Sequence, residues 1–159
     1  MKINLISSGI FFKIYLIYLG IKYKYFLNKK TYSQFGEDKI IENFFGGYIG
    51  TYVDIGCFHP IKYSNTALLN KKGWCGVNID LNETSIKLFN ACRKNDININ
   101  ACLSDKKQNV TVYMESEFSA LNSIYAENYE NFKFKNLKKI KTQTKIFSDL
   151  IKNDFDFLN

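Results

Sequence analysis

The sequence holds one arginine (Arg93), one histidine (His59), one proline (Pro60) and one tryptophan (Trp74) among 159 residues. With nine glycines and that single proline it has no collagen-like repeat and no proline- or glycine-rich linker. The four cysteines, Cys57, Cys75, Cys92 and Cys102, include no C-x-x-C pair, which argues against a zinc site. Each lies in an apolar or strand-like stretch, where free cysteine behaves as a small core residue. That usage suits a reducing compartment, so a cytoplasmic location is expected. The formal charge is +7, almost all of it lysine. Nucleic-acid surfaces usually cluster arginine with lysine and aromatics. The nearest candidate, "FKFKNLKKIKTQTK" at positions 132 to 145, reads as a solvated face, and nucleic acid is not an expected partner.

What is present is globular. Apolar residues make up 46% and aromatics 16%, enough for one domain with a real core. Positions 3 to 21, "INLISSGIFFKIYLIYLGI", carry one charge, Lys13, and are followed by Lys22, Lys24, Lys29 and Lys30. The length is close to that of a membrane span. A lysine near the middle costs about 2.5 to 3.5 kcal/mol on insertion. No small-residue cleavage site follows. The favoured reading is a helix packed on the domain or lying on a membrane surface, with residues 1–30 a hydrophobic and basic helix and residues 31–159 the domain proper.

Along the domain, strand patterns alternate with helical ones. "TYSQFGEDKIIENFFGG" predicts a helix capped by Thr31 or Ser33, with Glu37 and Asp38 in its first turn. Its apolar face would be Ile40, Ile41, Phe44 and Phe45. "SNTALLNKKG" predicts a short helix with Ser64 or Asn65 as cap and Gly73 as stop. "NETSIKLFNACRKN" is amphipathic, with Ile86, Leu88, Phe89 and Cys92 turned inward. Strands are expected at 51 to 55, 74 to 80, 97 to 104 and 109 to 115, the last of them antiparallel. A further strand and short helix follow in "KIKTQTKIFSDLIKN", and "FDFLN" begins another strand. Trp74 is assigned to the core. The alternation predicts an α/β fold, a mostly parallel sheet with helices on both faces.

In such a sheet, ligands sit outside the carboxyl ends of the strands. Here those ends read Asp54-Ile55-Gly56, Asp80 and Ser104-Asp105. Asp80 follows Gly56 at about the 20-residue interval that separates a glycine turn from a ribose-binding acid. A dinucleotide also needs G-x-G-x-x-G. This loop has one glycine, then Cys57-Phe58-His59-Pro60, whose side chains are expected to crowd a pyrophosphate. S-adenosylmethionine has a ribose and adenine, no phosphate, and a sulfonium cation that acids favour. The loop therefore points to that cofactor over NAD. Each residue also has a plainer role: Asp54 as a turn cap, Asp80 as a helix cap, Glu37 as a partner of the helix dipole. His59 is at least as well explained by a structural hydrogen bond as by general-base chemistry.

"YSQFGEDKIIENFF", "GTYVDIGCFHPIKYSNTALLNKKGWCGVNIDLN", "NACLSD" and "SALNS" resemble the FkbM-type S-adenosylmethionine-dependent methyltransferases, from about Tyr32 onward. The resemblance implies a Rossmann-like class I methyltransferase fold and methyl transfer to an oxygen of a sugar, glycan or other small-molecule acceptor. It implies that Asp54 and Gly56 form the first cofactor motif, that Asp80 holds the ribose, and that Ser104 and Asp105 lie near the adenine. Gln34, Glu37 and Asn65 match motif positions around the pocket. Members of the family continue past the strand equivalent to "FDFLN" with an Asp-x-Glu-Gly motif, so this domain is expected to be partial, its carboxyl-terminal strands missing. The alternatives are a non-catalytic remnant or interaction module and, less favoured, an NAD-dependent enzyme.

Overall fold

The computed structural model describes residues 9–26, 29–114 and 138–159. The "SALNS" stretch and the start of the basic run at 132 to 137 lie outside the described residues. The elements run α1 (Gly9–Phe26), α2 (Glu37–Phe45), β1 (Thr51–Ile55), α3 (Ala67–Lys71), β2 (Cys75–Asp80), α4 (Glu83–Cys92), β3 (Ile97–Asn100), β4 (Cys102–Leu103), β5 (Asn109–Met114), β6 (Lys138–Lys145), α5 (Phe147–Leu150) and β7 (Phe157–Leu158). The fold is α/β. Four strands form an all-parallel sheet in the order β3-β2-β1-β7. The expected final strand thus lies beside β1, mid-chain neighbours being separated by crossovers as parallel pairing requires.

Successive residues of β1 face opposite sides of this sheet. Tyr52 packs with Leu69 of α3 and Trp74, joined by Ile41 and Phe45 of α2. Val53 packs on the other face with Ile79 and Ala101, against Phe147 and Leu150 of α5. Both faces are therefore covered, one by α2 to α4 and the other by the short α5 segment. Trp74 is buried and its Nε1 donates to Tyr48 O at 2.9 Å.

The expected third strand, 97 to 104, is divided in the structure. Ala101 N makes a last bond to Asp80 O, after which Cys102 and Leu103 pair in parallel with Thr144 and Lys145 of β6. The alternating strand β6 pairs antiparallel with β5, giving a second sheet in the order β4-β6-β5. Helix starts also differ from expectation. Gly36, in the left-handed region at φ 94°, precedes α2 without a side-chain cap. Thr31 and Ser33 donate to the buried carboxylate of Asp38 at 2.6 and 2.8 Å, and Tyr32 N donates to it as well. The Ser33 hydroxyl also accepts from Gly36 N at 3.0 Å and Asp38 N at 3.4 Å, so Ser33 serves the helix start from outside the cap position. Thr66, not Ser64 or Asn65, precedes α3. Ile41 and Phe45 pack inward, whereas Ile40 and Phe44 are exposed, because only one stripe of so short a helix reaches the sheet. In α4, Ile86, Leu88 and Phe89 are buried and Cys92 is half-buried. Cys75 lies at the exposed start of β2, contrary to a core role. All four cysteines are free.

Candidate functional site

Adjacent parallel strands carry Asp54 and Asp80 to the same edge. Register pairs Asp54 with Asn78 and Asp80 with Asn100, so the two acids stand one pleat apart on the same face. Both are buried, Asp54 at 1% and Asp80 at 9% exposure. They converge on the Cys57 thiol, which burial pushes far up and which the charges of Asp54 and then Asp80 push further.

Asp80 ties two loops together. Its Oδ2 accepts from Phe58 N at 2.8 Å and its Oδ1 from Asn82 N at 2.7 Å. Burial raises its pKa above the ordinary carboxylate range, the Asn82 and Phe58 N–H groups pull it down, and the charge of Asp54 raises it again. Asp80 does not cap α4. Asn82 does, its side chain accepting from Thr84 N at 2.9 Å. A carboxylate offers about four acceptor positions, so Asp80 keeps capacity for a ligand's hydroxyls.

Asp54 is sealed more tightly. Thr66 Oγ1 donates to its Oδ2 at 2.6 Å and Asn159 Nδ2 to its Oδ1 at 2.8 Å. Burial raises its pKa, and those two bonds and Arg93 oppose the rise. Asn65 Nδ2 donates to Asn159 Oδ1, so Asn65 joins Asp54 through the Asn159 amide.

The loop after β1 departs from expectation. Cys57, His59 and Pro60 turn inward and are buried, and Phe58 alone of the four is partly exposed. What the loop lacks is donors. Gly56 N and Cys57 N bond to Ile79 O, Phe58 N to Asp80 and His59 N to Cys57 O. Ile61 N and Lys62 N both donate to His59 Nδ1 at 3.1 Å, which gives His59 the structural role considered for it. No N–H of residues 56 to 59 is left to cradle a phosphate, the feature on which dinucleotide loops depend. Gly56 adopts φ 70°, a left-handed conformation that side chains strain to reach, and open space lies where its Cβ would stand.

The remaining predicted residues spread out. Ser104 and Asp105 follow β4 in the second sheet, where Ser104 N bonds to Lys145 O and its hydroxyl to Asp105 Oδ1 at 2.9 Å. Glu37 lies at the surface, accepts from Phe35 N at 2.8 Å and has a lowered pKa, first through its own backbone N–H and then that of Phe35. That is the behaviour of a helix-start acid. Gln34 is exposed. Beside the carboxyl end of β3 is a cavity of about 260 Å³ between the start of α4 and the β5–β6 pair. Its wall mixes apolar side chains such as Ala101, Val112 and Met114 with Asn82 and Asn100, and carries the charges of Glu83, Lys138, Lys141 and Lys145.

Sequence reading missed the group that holds this edge in place. The lone arginine, Arg93, is 3% exposed at the end of α4. One guanidinium nitrogen donates to Thr66 Oγ1 at 2.8 Å and Tyr52 Oη at 3.1 Å, the other to Pro60 O at 2.6 Å and Ser64 Oγ at 2.9 Å. Asp96 supplies the opposite charge 4.0 Å away and accepts from Tyr52 Oη and Asn78 Nδ2. The available signal was arginine's singularity in a chain that otherwise uses lysine, since only a planar fork makes so many fixed bonds.

No family model, curated protein or solved structure matches the chain.

Proposed function

We propose that the chain is an S-adenosylmethionine-binding domain of the class I methyltransferase kind, acting on a hydroxyl of a sugar, glycan or similar small molecule. The observation that carries the reading is the pair of buried acids, Asp54 and Asp80, at the carboxyl edge beside a loop whose N–H groups are already bonded within the protein. Such an edge disfavours phosphate and favours a cation-bearing nucleoside. The motifs resembling FkbM-type methyltransferases point the same way.

The residues fit that cofactor. Asp80, the more accessible acid, would accept the ribose hydroxyls. Asp54, sealed by Thr66 and Asn159, would act from beneath by its charge and by holding the start of the loop. Gly56 leaves space in front of the loop. The cavity beside β3, which neither Asp54 nor Asp80 lines, mixes apolar side chains with amides, Glu83 and three lysines, and offers a place for a base beyond Asp80. Ser104 and Asp105, expected near the adenine, stand in the second sheet outside that wall. The cofactor, when bound, supplies an electrophilic methyl group on sulfur. The protein's part is to fix its orientation and to bring an acceptor oxygen into line, where positioning supplies much of the acceleration.

A second reading, a non-catalytic module, is favoured by one observation: Asp54 has both oxygens bonded within the protein. Calorimetric titration separates the readings. S-adenosylmethionine should give saturable heat and NAD none. Heat from NAD alone would overturn the proposal, and no heat from either on folded protein would establish the module.

A further inference from the structure

From Gly9 to Ile21 helix α1 has apolar residues all round and one charge, Lys13, and among the described residues only one side is covered. At 3.6 residues per turn, Phe12, Tyr15, Leu16 and Leu19 share a face. Leu19 is buried and the other three are half-buried. Burial raises the pKa of Tyr15, and Tyr18 and Cys92 of α4 add to it, which places this face against the domain. The opposite face carries Ile10, Ile14, Ile17 and Ile21, exposed at 72%, 55%, 64% and 72%. Phe11 and Tyr18 widen this stripe along one margin and are also exposed, and Lys13 is exposed along the other. An apolar strip of this continuity on a soluble surface marks an interaction site.

Charge selects the occupant. The α1 sequence GIFFKIYLIYLGIKYKYF contains no acid. Exposed Lys29 and Lys30 follow it, and the chain as a whole is +7. A second copy would bring these lysines together with no carboxylate from α1 to pair them. An anionic bilayer pairs them directly, with the stem of Lys13 lying along the apolar strip and its ammonium at the headgroups. Among the described residues no helix is long and apolar enough to cross a membrane. The even spread of apolar residues around α1 is also accounted for, because the domain itself takes the place of the polar face that a free interfacial helix needs.

We propose that α1 seats the domain on an anionic membrane surface through the Ile10-Ile14-Ile17-Ile21 stripe, with the helix lying in the plane of the interface. This stands apart from the cofactor reading. The test is flotation of the full chain with vesicles of phosphatidylcholine alone and of phosphatidylcholine with phosphatidylglycerol. The chain should float with the anionic vesicles only, and less as salt rises. Ile14→Asp with Ile17→Asp should lower partitioning by about tenfold or more without moving the thermal midpoint, since both side chains are exposed. Lys13→Gln should lower it about fivefold. Failure of the wild type to float, or flotation unchanged in the double variant, overturns the proposal. If the wild type stays off vesicles and the double variant dissociates a dimer, the stripe belongs to a second copy and the proposal is overturned.

Discussion

Arg93 and Asp54 meet on one hydroxyl: Thr66 Oγ1 accepts from the guanidinium at 2.8 Å and donates to the carboxylate at 2.6 Å. The same guanidinium holds Pro60 O and Ser64 Oγ, so the end of α4 fixes both the loop after β1 and the acid that precedes it. Replacing Arg93 by methionine leaves Asp96 buried without its cation and should cost about 3 to 5 kcal/mol. Arg93→Lys keeps the charge, loses the fork, and should recover less than half of that. Urea unfolding measures both. A loss below about 1 kcal/mol in the methionine variant would show that the buried pair contributes little beyond its hydrophobic replacement.

Asp80→Asn tests the ribose assignment. The substitution keeps one acceptor for Asn82 N or Phe58 N and removes the charge. Losing hydrogen bonds to a charged acceptor is worth about 1.5 to 3 kcal/mol, so S-adenosylmethionine affinity should fall roughly tenfold to a hundredfold. Calorimetry on variant protein with an unchanged circular dichroism spectrum reads this out. Unaltered affinity would remove Asp80 from the site.

The sequence carried the parallel sheet because each of its strands is bounded by a turn or a helix with its own periodicity. It carried Asp54 and Asp80 because position at a strand's carboxyl end is a topological property. It did not carry the division at Ala101, because residues 97 to 104 read as one strand with no turn signal inside it and the partner that draws Cys102 away, β6, lies some 40 residues downstream. Nor did it show Asp38 gathering Thr31, Tyr32 and Ser33, since an acid in a first turn already has a sufficient reason in the helix dipole. The Arg93 network draws on β1, the loop 60–66, β2 and the end of α4, and no local pattern encodes it.

The stability contributed by Asp54 and Asp80 should fall as pH rises out of the acid range. Burial raises the folded-state pKa of Asp54 and of Asp80. Between the unfolded aspartate value, about 3.9, and those raised values, the folded state binds more protons than the unfolded one. Stability from these two groups is therefore full below about pH 4 and is lost as pH climbs through the window. Glu37, Asp149 and Asp156 have lowered values and act in the opposite sense, losing stability as pH falls. Asp54→Asn should flatten the decline on the alkaline side of pH 4 while leaving the acid limb in place. Urea midpoints across pH 3 to 8 measure it, and a wild-type midpoint that climbs steadily with no Asp54-dependent component would contradict the burial of these acids.

Asn82 supplies the cap that Asp80 does not. Its side chain accepts from Thr84 N, one of the donors left open at a helix start, and it is buried while doing so. Asn82→Ala should cost about 1 kcal/mol and Asn82→Gly less. Thermal or urea unfolding gives the difference, and an alanine variant as stable as the wild type would show that the Asn82 side-chain bond contributes nothing as a cap.

Thiol chemistry should separate the cysteines by environment. Reaction requires the thiolate and access to it. Cys75 is exposed at the start of β2. Cys57 is buried, and its thiol is pushed far up by burial and by the charges of Asp54 and Asp80. A neutral alkylating reagent at pH 8 should therefore label Cys75 first and Cys57 last, with peptide mass mapping to order them. Asp54→Asn removes one of the two charges acting on Cys57 without opening a path to it, so Cys57 should remain slow in that variant. Early labelling of Cys57 in folded wild-type protein would mean that the loop after β1 opens readily, and the two acids beneath it would then be reachable by solvent.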